Sequence, residues 1–214
     1  MPPVTAAPPA LAAEFHRQVD VLLRAGHPEA AGMSPGAFAA RLSPLTTCLG
    51  EVALGRPSGA IPFVLVVGSG LVPVGAAMTR VRRRGRAGVS VLGDDDLRRF
   101  MPIERVDVPA ADAYLLLDVD LGFATRNLTP DAALEAIAAE GRSGLTLEEG
   151  VALVTQFPEA VARNAGFSLL GSRCGDRRVT ALWISEGAPK LGWCWAGNPH
   201  TWLGSASCGG RVSA

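Results

Sequence analysis

Residues 167–196 read FSLLGSRCGDRRVTALWISEGAPKLGWCWA. Three short β-type runs, FSLLGSR (167–173), VTALWIS (179–185) and LGWCWA (191–196), are separated by CGDRR and EGAPK. Short apolar runs broken by Gly, Pro and charged residues read as strands joined by turns, so this segment is expected to form an antiparallel meander. Side chains alternate along a strand. In the third run Leu191, Trp193 and Trp195 therefore share one face, and Gly192, Cys194 and Ala196 share the other. The bulky face is expected to pack into the core, and the small face to leave room for a helix, a loop or a ligand.

Working outward from the meander, the preceding chain is richer in helix signals. Leu11, Phe15, Val19, Leu22 and Leu23 recur at helical spacing, and Gly26 can end that helix. Ser34-Pro35 is an N-cap followed by a proline at the first helical position, opening a helix through Leu42. Ser43-Pro44 starts another helical segment. Thr129-Pro130 begins a helix that Gly141 can stop, and Thr146 with Glu149 forms a capping box ahead of Leu147, Val151, Val154 and Phe157. Pro158 must kink or restart that helix. Val74 to Arg84 reads as helical, and DDD at 94–96 can cap a short helix through Phe100. IPFVLVV (61–67) and Tyr114 to Val119 are continuous apolar runs, which suits strands buried on both faces. The expected class is α+β: N-terminal helices packed on mixed strands, with a C-terminal antiparallel β-meander. Residues 1–10, rich in Pro and Ala, read as a flexible tail. Residues 11–214 read as a single domain, helix-rich over 11–165 and β-rich over 166–214.

Composition narrows the function. The 214 residues are 48% hydrophobic and 19% charged, which suits a globular chain. Twenty basic residues balance twenty acidic ones. A nucleic-acid binder usually shows a basic surplus, so no nucleic-acid partner is expected. No apolar stretch approaches eighteen residues, so no membrane span is expected either. The opening MPPVTAAPPALAAEFHRQV lacks a charged leader and a long apolar core, which reads as a cytoplasmic protein without a signal peptide. In that compartment the four cysteines should be reduced thiols.

All four tryptophans, three of the four cysteines, one histidine and the single lysine fall between Cys174 and Ala214. The leading expectation is therefore a small-molecule pocket built from this block. Trp195 and Trp202 would supply apolar surface, and Arg173, Asp176, Asn198 and His200 polar contacts. A second reading is a thiol-dependent enzyme with Cys194 or Cys174 as nucleophile, His200 as its base and Asp176 as the orienting carboxylate, because a thiol needs a nearby base to become a thiolate at neutral pH. A third is a protein-interaction module with an exposed Trp face. Cys174, Cys194, His200 and Cys208 could also make a Cys3His zinc site, but their spacing lacks the Cys-x2-Cys knuckle that would pre-form it. No cofactor is expected.

Three further motifs read more blandly. Asp118-Val119-Asp120 follows an apolar strand, as paired acids do in haloacid-dehalogenase-type phosphotransferases, but the downstream metal-binding acids are missing, and a loop-capping strand end is the commoner meaning. Gly68-Ser69-Gly70 lacks the third glycine of a dinucleotide fingerprint, since position 73 is Pro73. Arg80, Arg82, Arg83, Arg84 and Arg86 have no interleaved aromatics and read as a solvated, partly paired charge run.

The run FSLLGSRCGDRRVTALWISEGAPKLGWCWAGNPHTWLGSASCGGR (167–211) closely resembles the C-terminal half of an actinobacterial family known only as a domain of unknown function. AGMSPGAF (31–38), IPFVLVV (61–67), YLLLDVD (114–120) and EEGVALVTQFPE (148–159) are similar to it as well, so the resemblance covers most of the chain. It implies a cytoplasmic actinobacterial protein in which this domain fills nearly the whole chain. It brings no activity, substrate or catalytic residue with it.

Overall fold

The structure is a computed structural model that describes residues 8–52 and 61–214. Of the tail expected over residues 1–10, residues 1–7 lie outside these, whereas Pro9 and Ala10 already belong to the first helix. The class is α+β, with seven α-helices among the described residues and a strand-rich C-terminal part.

Helix α1 (Pro9–Arg24) starts on a proline, whose missing N–H is one that no helix start can satisfy internally. It buries Leu11, Phe15, Val19 and Leu22, the stripe its sequence spacing demands. Gly26, at φ 80°, turns the chain into the single-turn α2 (His27–Ala30). Ser34 Oγ accepts from the Ala37 N–H and caps α3 (Pro35–Leu42). A 3-10 stretch, Ser43–Glu51, follows.

Strand β1 (Ile61–Val67) leads through a Gly-rich loop to α4 (Val74–Arg80). The helix expected through Arg84 stops at Arg80. The next residues form a hairpin of β2 (Arg82–Arg83) and β3 (Arg86–Ala87) instead. Arg84 and Gly85 both take positive φ there, 49° and 78°, as a tight two-residue hairpin turn requires. After β4 (Val89–Ser90) come α5 (Asp94–Arg99) and β5 (Met101–Pro102). The chain continues through β6 (Ala113–Val119), α6 (Pro130–Ala139), β7 (Ser143–Gly144) and α7 (Leu147–Gln156). Both helices start as their sequences require: Thr129 Oγ1 accepts from the Ala132 N–H, and Thr146 and Glu149 form the full capping box. The C-terminal strands are β8 (Gly166–Leu169), β9 (Ser172–Arg173), β10 (Arg178–Ser185), β11 (Ala188–Trp195), β12 (Leu203–Ser205), β13 (Ser207–Cys208) and β14 (Gly210–Val212).

Two main sheets result. In the first, β6 lies between β1 and β14, and both pairings are antiparallel. The second runs β12-β8-β10-β11-β4. Its centre is the expected meander: β8, β10 and β11 pair antiparallel, and Glu186-Gly187 (φ 52° and 77°) closes the β10–β11 hairpin. Short parallel strands β12 and β4 are added at the two edges. Two small ladders, β5 with β9 and β7 with β13, tie the helical connections to the C-terminal part.

Three cores follow from this layering. Phe63, Leu65 and Leu115 point from the first sheet toward α1 and α3. Val64, Val66, Tyr114 and Leu116 point the other way. They meet α7, α4 and the second sheet's Phe167, Leu169, Leu182 and Leu191. The opposite face of the second sheet, carrying Val179, Ala181 and Cys194, is covered by Ala133, Leu134 and Ile137 of α6. Each fully buried large side chain here contributes about 1.5–3 kcal/mol.

Strand β1 is an edge strand, yet its outer edge is paired. Gln18 of α1, fully buried, donates from Nε2 to the Phe63 carbonyl (3.0 Å) and accepts the Leu65 N–H on Oε1 (2.6 Å). One helical amide thus does what a neighbouring strand would do, and exposed edge groups are the feature that folded proteins must cover.

Candidate functional site

The C-terminal block does not come together as one site. Cys174 and Cys208 belong to the core between the sheets, and Cys194 to the core beneath α6. The Cys174 thiol donates to Asp176 Oδ1 at 3.2 Å, and Cys194 Sγ lies 3.6 Å from Ser168 Oγ. His200 meets the Trp202 ring edge-on, with centroids 5.8 Å apart, and its Nε2 is buried without a hydrogen-bond partner. No hydrogen bond between described residues links His200 to a thiol. The nucleophile–base contact that the thiol-enzyme reading requires is therefore not formed. Asp176 serves its own turn: it accepts the Arg178 N–H (2.8 Å) and the Arg178 Nε–H (2.9 Å), and these bonds with the Cys174 contact hold its carboxyl at about 2.

The surroundings of these three thiols disfavour the thiolate. Burial pushes Cys174 and Cys194 up, and Cys208 up to about 11. An activated cysteine needs the opposite shift. With iodoacetamide at pH 7, Cys174, Cys194 and Cys208 should all label slowly in the native protein and quickly only once it is unfolded. Rapid native labelling of any one of them, read by peptide mass spectrometry, would restore the thiol-enzyme reading. The zinc alternative meets a similar obstacle, since among the described residues no group of three or more His, Cys, Asp or Glu side chains is placed to hold a metal ion.

The remaining expected ligand residues are scattered. Arg173 Nη1 donates to the Leu170 (2.7 Å) and Ser172 (3.1 Å) carbonyls. Asn198 is exposed in the turn after β11. Trp202 is half-buried, edge-on to Trp183 at 6.2 Å. Trp193 and Trp195 are 36% and 46% exposed, 4.8 Å apart, which corrects the expectation that the bulky face of β11 points into the core throughout. Leu191 on that face is fully buried. Two residues further on, the face has left the core and meets Arg178, whose guanidinium is held by Asp96 and Asp176 and stacks 6.0 Å from the Trp193 ring. On the small face, Trp183 of β10 fills the space above Gly192, where a Cβ would lie 2.4 Å from its ring.

A cleft of about 440 Å³ opens elsewhere, between α4, α5 and the start of α7. The loop after β1 contributes Ser69 and Gly70, and the start of α4 contributes Pro73, Val74 and Gly75. One side is apolar, with Leu97 and Phe100 from the α5 end, Met101 and Pro102 of β5, and Val108. Thr146, Leu147 and Glu148 form the far wall beside Ser172 of β9. None of the six residues expected to line a C-terminal pocket lies on it, nor does Cys174 or Cys194. Ser172 is the contribution of the 166–214 segment.

The wall at α7 is held by local hydrogen bonds. Glu149 Oε2 accepts the Thr146 N–H (2.8 Å), Thr146 Oγ1 accepts the Glu149 N–H (3.3 Å), and Ser172 Oγ accepts the Leu147 N–H (3.0 Å). Those donors would otherwise be orphans of the first helical turn. Glu149 itself turns inward, away from the cleft: fully buried, it accepts hydrogen bonds from the Tyr114 hydroxyl (2.9 Å) and from the Arg211 guanidinium (2.5 and 2.8 Å). Glu148, half-buried, faces the cleft, and so does Asp94 at its rim. The Asp94 carboxylate lies over Gly75, where a Cβ would come within 2.5 Å of Oδ1.

A family model described as a family of unknown function (DUF5701) matches residues 21–214. The chain belongs to this family. No curated protein and no solved structure matches it. Family membership assigns no chemistry, so the geometry has to carry the functional argument.

Two other motifs resolve structurally. Asp120 Oδ1 accepts the Gly122 N–H (2.6 Å), the loop-capping role expected of a strand-end acid. Asp118 takes the Arg142 guanidinium on Oδ2 (2.6 Å), and both line a polar hollow of about 200 Å³ with Ser205 and Ser207. Gly68-Ser69-Gly70 is a turn between β1 and α4. The strand that pairs with β1 is antiparallel, so the parallel βαβ frame of a dinucleotide site is absent there. Among the described residues, no helix is long and apolar enough to cross a membrane.

Proposed function

We propose that the protein binds a small, largely apolar organic molecule in the 440 Å³ cleft at the start of α7. The observation that carries this reading is the cleft itself. Its volume falls within the ~300–1,000 Å³ usual for ligand sites, and such sites pair apolar walls with a few polar groups. Leu97, Phe100, Val108 and Leu147 give the apolar part, while Ser69, Ser172, Asp94 and Glu148 give the polar part. Small-molecule binding is thus kept from the sequence reading, and its location moves from the Trp/Cys/His block to the helical side of the molecule.

Thermal denaturation against a library of small apolar and amphipathic compounds tests it. A ligand at about one hundred times its Kd stabilises by about 2.7 kcal/mol, which for a chain of this size raises Tm by roughly 5–10 °C. Val108→Trp fills the cleft from its half-buried side. The variant should fold with wild-type circular dichroism and lose the ligand-induced shift. If no compound stabilises the wild type more than the Val108→Trp protein, the cleft is not a binding site.

A further inference from the structure

We propose, resting on the cleft reading above, that the ligand is an organic amine: an apolar body carrying a protonated nitrogen. The charges that face the cleft point to this class. Among the described residues no hydrogen bond or ion pair reaches the carboxylate of Glu148 or that of Asp94, and both line the same cleft. Among the described residues that line it, the one cation is Arg98, which is paired with Asp95 on the same helix, so two carboxylates stand there against one guanidinium. The charges that line the cleft therefore sum to a negative value, over walls that are mostly apolar.

Occupancy sharpens the choice. An apolar body seated against Leu97, Phe100 and Leu147 takes water away from the Glu148 carboxylate. A desolvated charge is costly unless it is paired. An alcohol leaves that cost largely unmet, and a carboxylate adds repulsion to it. An ammonium group cancels the charge and brings up to three N–H donors for carboxylate and hydroxyl acceptors. Gly75 belongs to the same design, because a side chain there would displace the Asp94 carboxylate from the cleft rim.

Matched probes test the class with the full chain. Hexylamine, 2-phenylethylamine and tryptamine are titrated calorimetrically beside the corresponding alcohols (hexanol, 2-phenylethanol, tryptophol) and acids (hexanoate, 3-phenylpropionate, indole-3-propionate). The expected result is that at least one amine binds tenfold or more tighter than its alcohol, with its acid weaker still. In an Asp94→Asn/Glu148→Gln variant that preference should fall below threefold, with the amine weakened and the alcohol bound more tightly because no unpaired charge is desolvated, and Val108→Trp should abolish binding of both. If alcohols or acids bind as tightly as amines and Val108→Trp abolishes them, the amine assignment is overturned and the cleft reading stands. If no probe binds, or if Val108→Trp leaves binding intact, both are overturned.

Discussion

Arg211→Met should cost about 3–5 kcal/mol of folding stability, the largest effect expected of any single substitution discussed for this protein. The Glu149–Arg211 pair lies wholly inside: Glu149 is fully buried and the Arg211 side chain is 5% exposed. Arg211 Nε and Nη2 bind the two carboxylate oxygens, Nη1 reaches Ser143 Oγ (3.0 Å), and Nη2 also reaches the Gly144 carbonyl (3.1 Å). The pair outweighs the burial that would discharge the guanidinium, and its pKa is raised. Burial, followed by the neighbouring Glu149 charge, drives the Tyr114 hydroxyl well above its usual range, so Tyr114 acts purely as a donor. Removing Arg211 strands the carboxylate in an apolar interior. Replacing both partners should be far milder, because a buried pair roughly breaks even against neutral groups of similar shape. Urea midpoints of Arg211→Met and of Glu149→Gln/Arg211→Met supply the comparison. A double variant as unstable as the single one would show that the charge is not what the site depends on.

Acid should weaken the fold through His27, with a smaller effect. The imidazole is 3% exposed, its Nδ1 has no hydrogen-bond partner, and burial together with the Arg80 charge lowers its pKa from 6.5 to about 4. Below pH 6.5 the unfolded chain takes up a proton that the folded chain refuses until about pH 4. The stability that a neutral His27 provides is therefore complete above pH 6.5, falls as pH drops toward 4, and is flat below that. From pH 7 to pH 5 the loss is about 2 kcal/mol by linkage. The measurement is the difference in unfolding free energy between the two pH values, in wild type and in His27→Leu. Equal pH slopes in the two proteins would exclude His27 as the acid-sensitive group.

Local chemistry made much of the fold legible. Ser34-Pro35, Thr129-Pro130 and Thr146 with Glu149 mark helix starts because the side chains that satisfy orphan donors sit within three residues of them. The meander was legible because β8, β10 and β11 follow one another along the chain with only the two-residue β9 between the first two. Which face of β11 is inside was not. The second sheet has a core on each side, so alternation separates Trp193 from Cys194 without saying which side is covered at that end of the strand. The same alternation explains why the Trp/Cys/His block disperses: closeness in sequence along strands of a two-sided sheet sends successive side chains to different cores. The helix expected through Arg84 ends at Arg80 because a basic run carries no periodicity strong enough to outweigh a two-residue turn at Arg84-Gly85. The cleft draws on five separate stretches, from Ser69 to Ser172, and no short motif spans them. The capping box, the Gly68-Ser69-Gly70 turn and the acidic run at 94–96 each touch it, and those signals report helix starts and a turn rather than a hollow.

The amide of Gln18 on the rim of β1 has a practical corollary. The stretch recognised by family similarity begins at residue 21, inside α1 and three residues after that glutamine. A recombinant fragment trimmed to the recognised boundaries would lose Leu11, Phe15 and Val19 from their core and leave the Phe63 carbonyl and Leu65 amide as sticky ends. Such a fragment would be prone to self-adhesion, so the first turns of α1 belong in any expressed version of this protein.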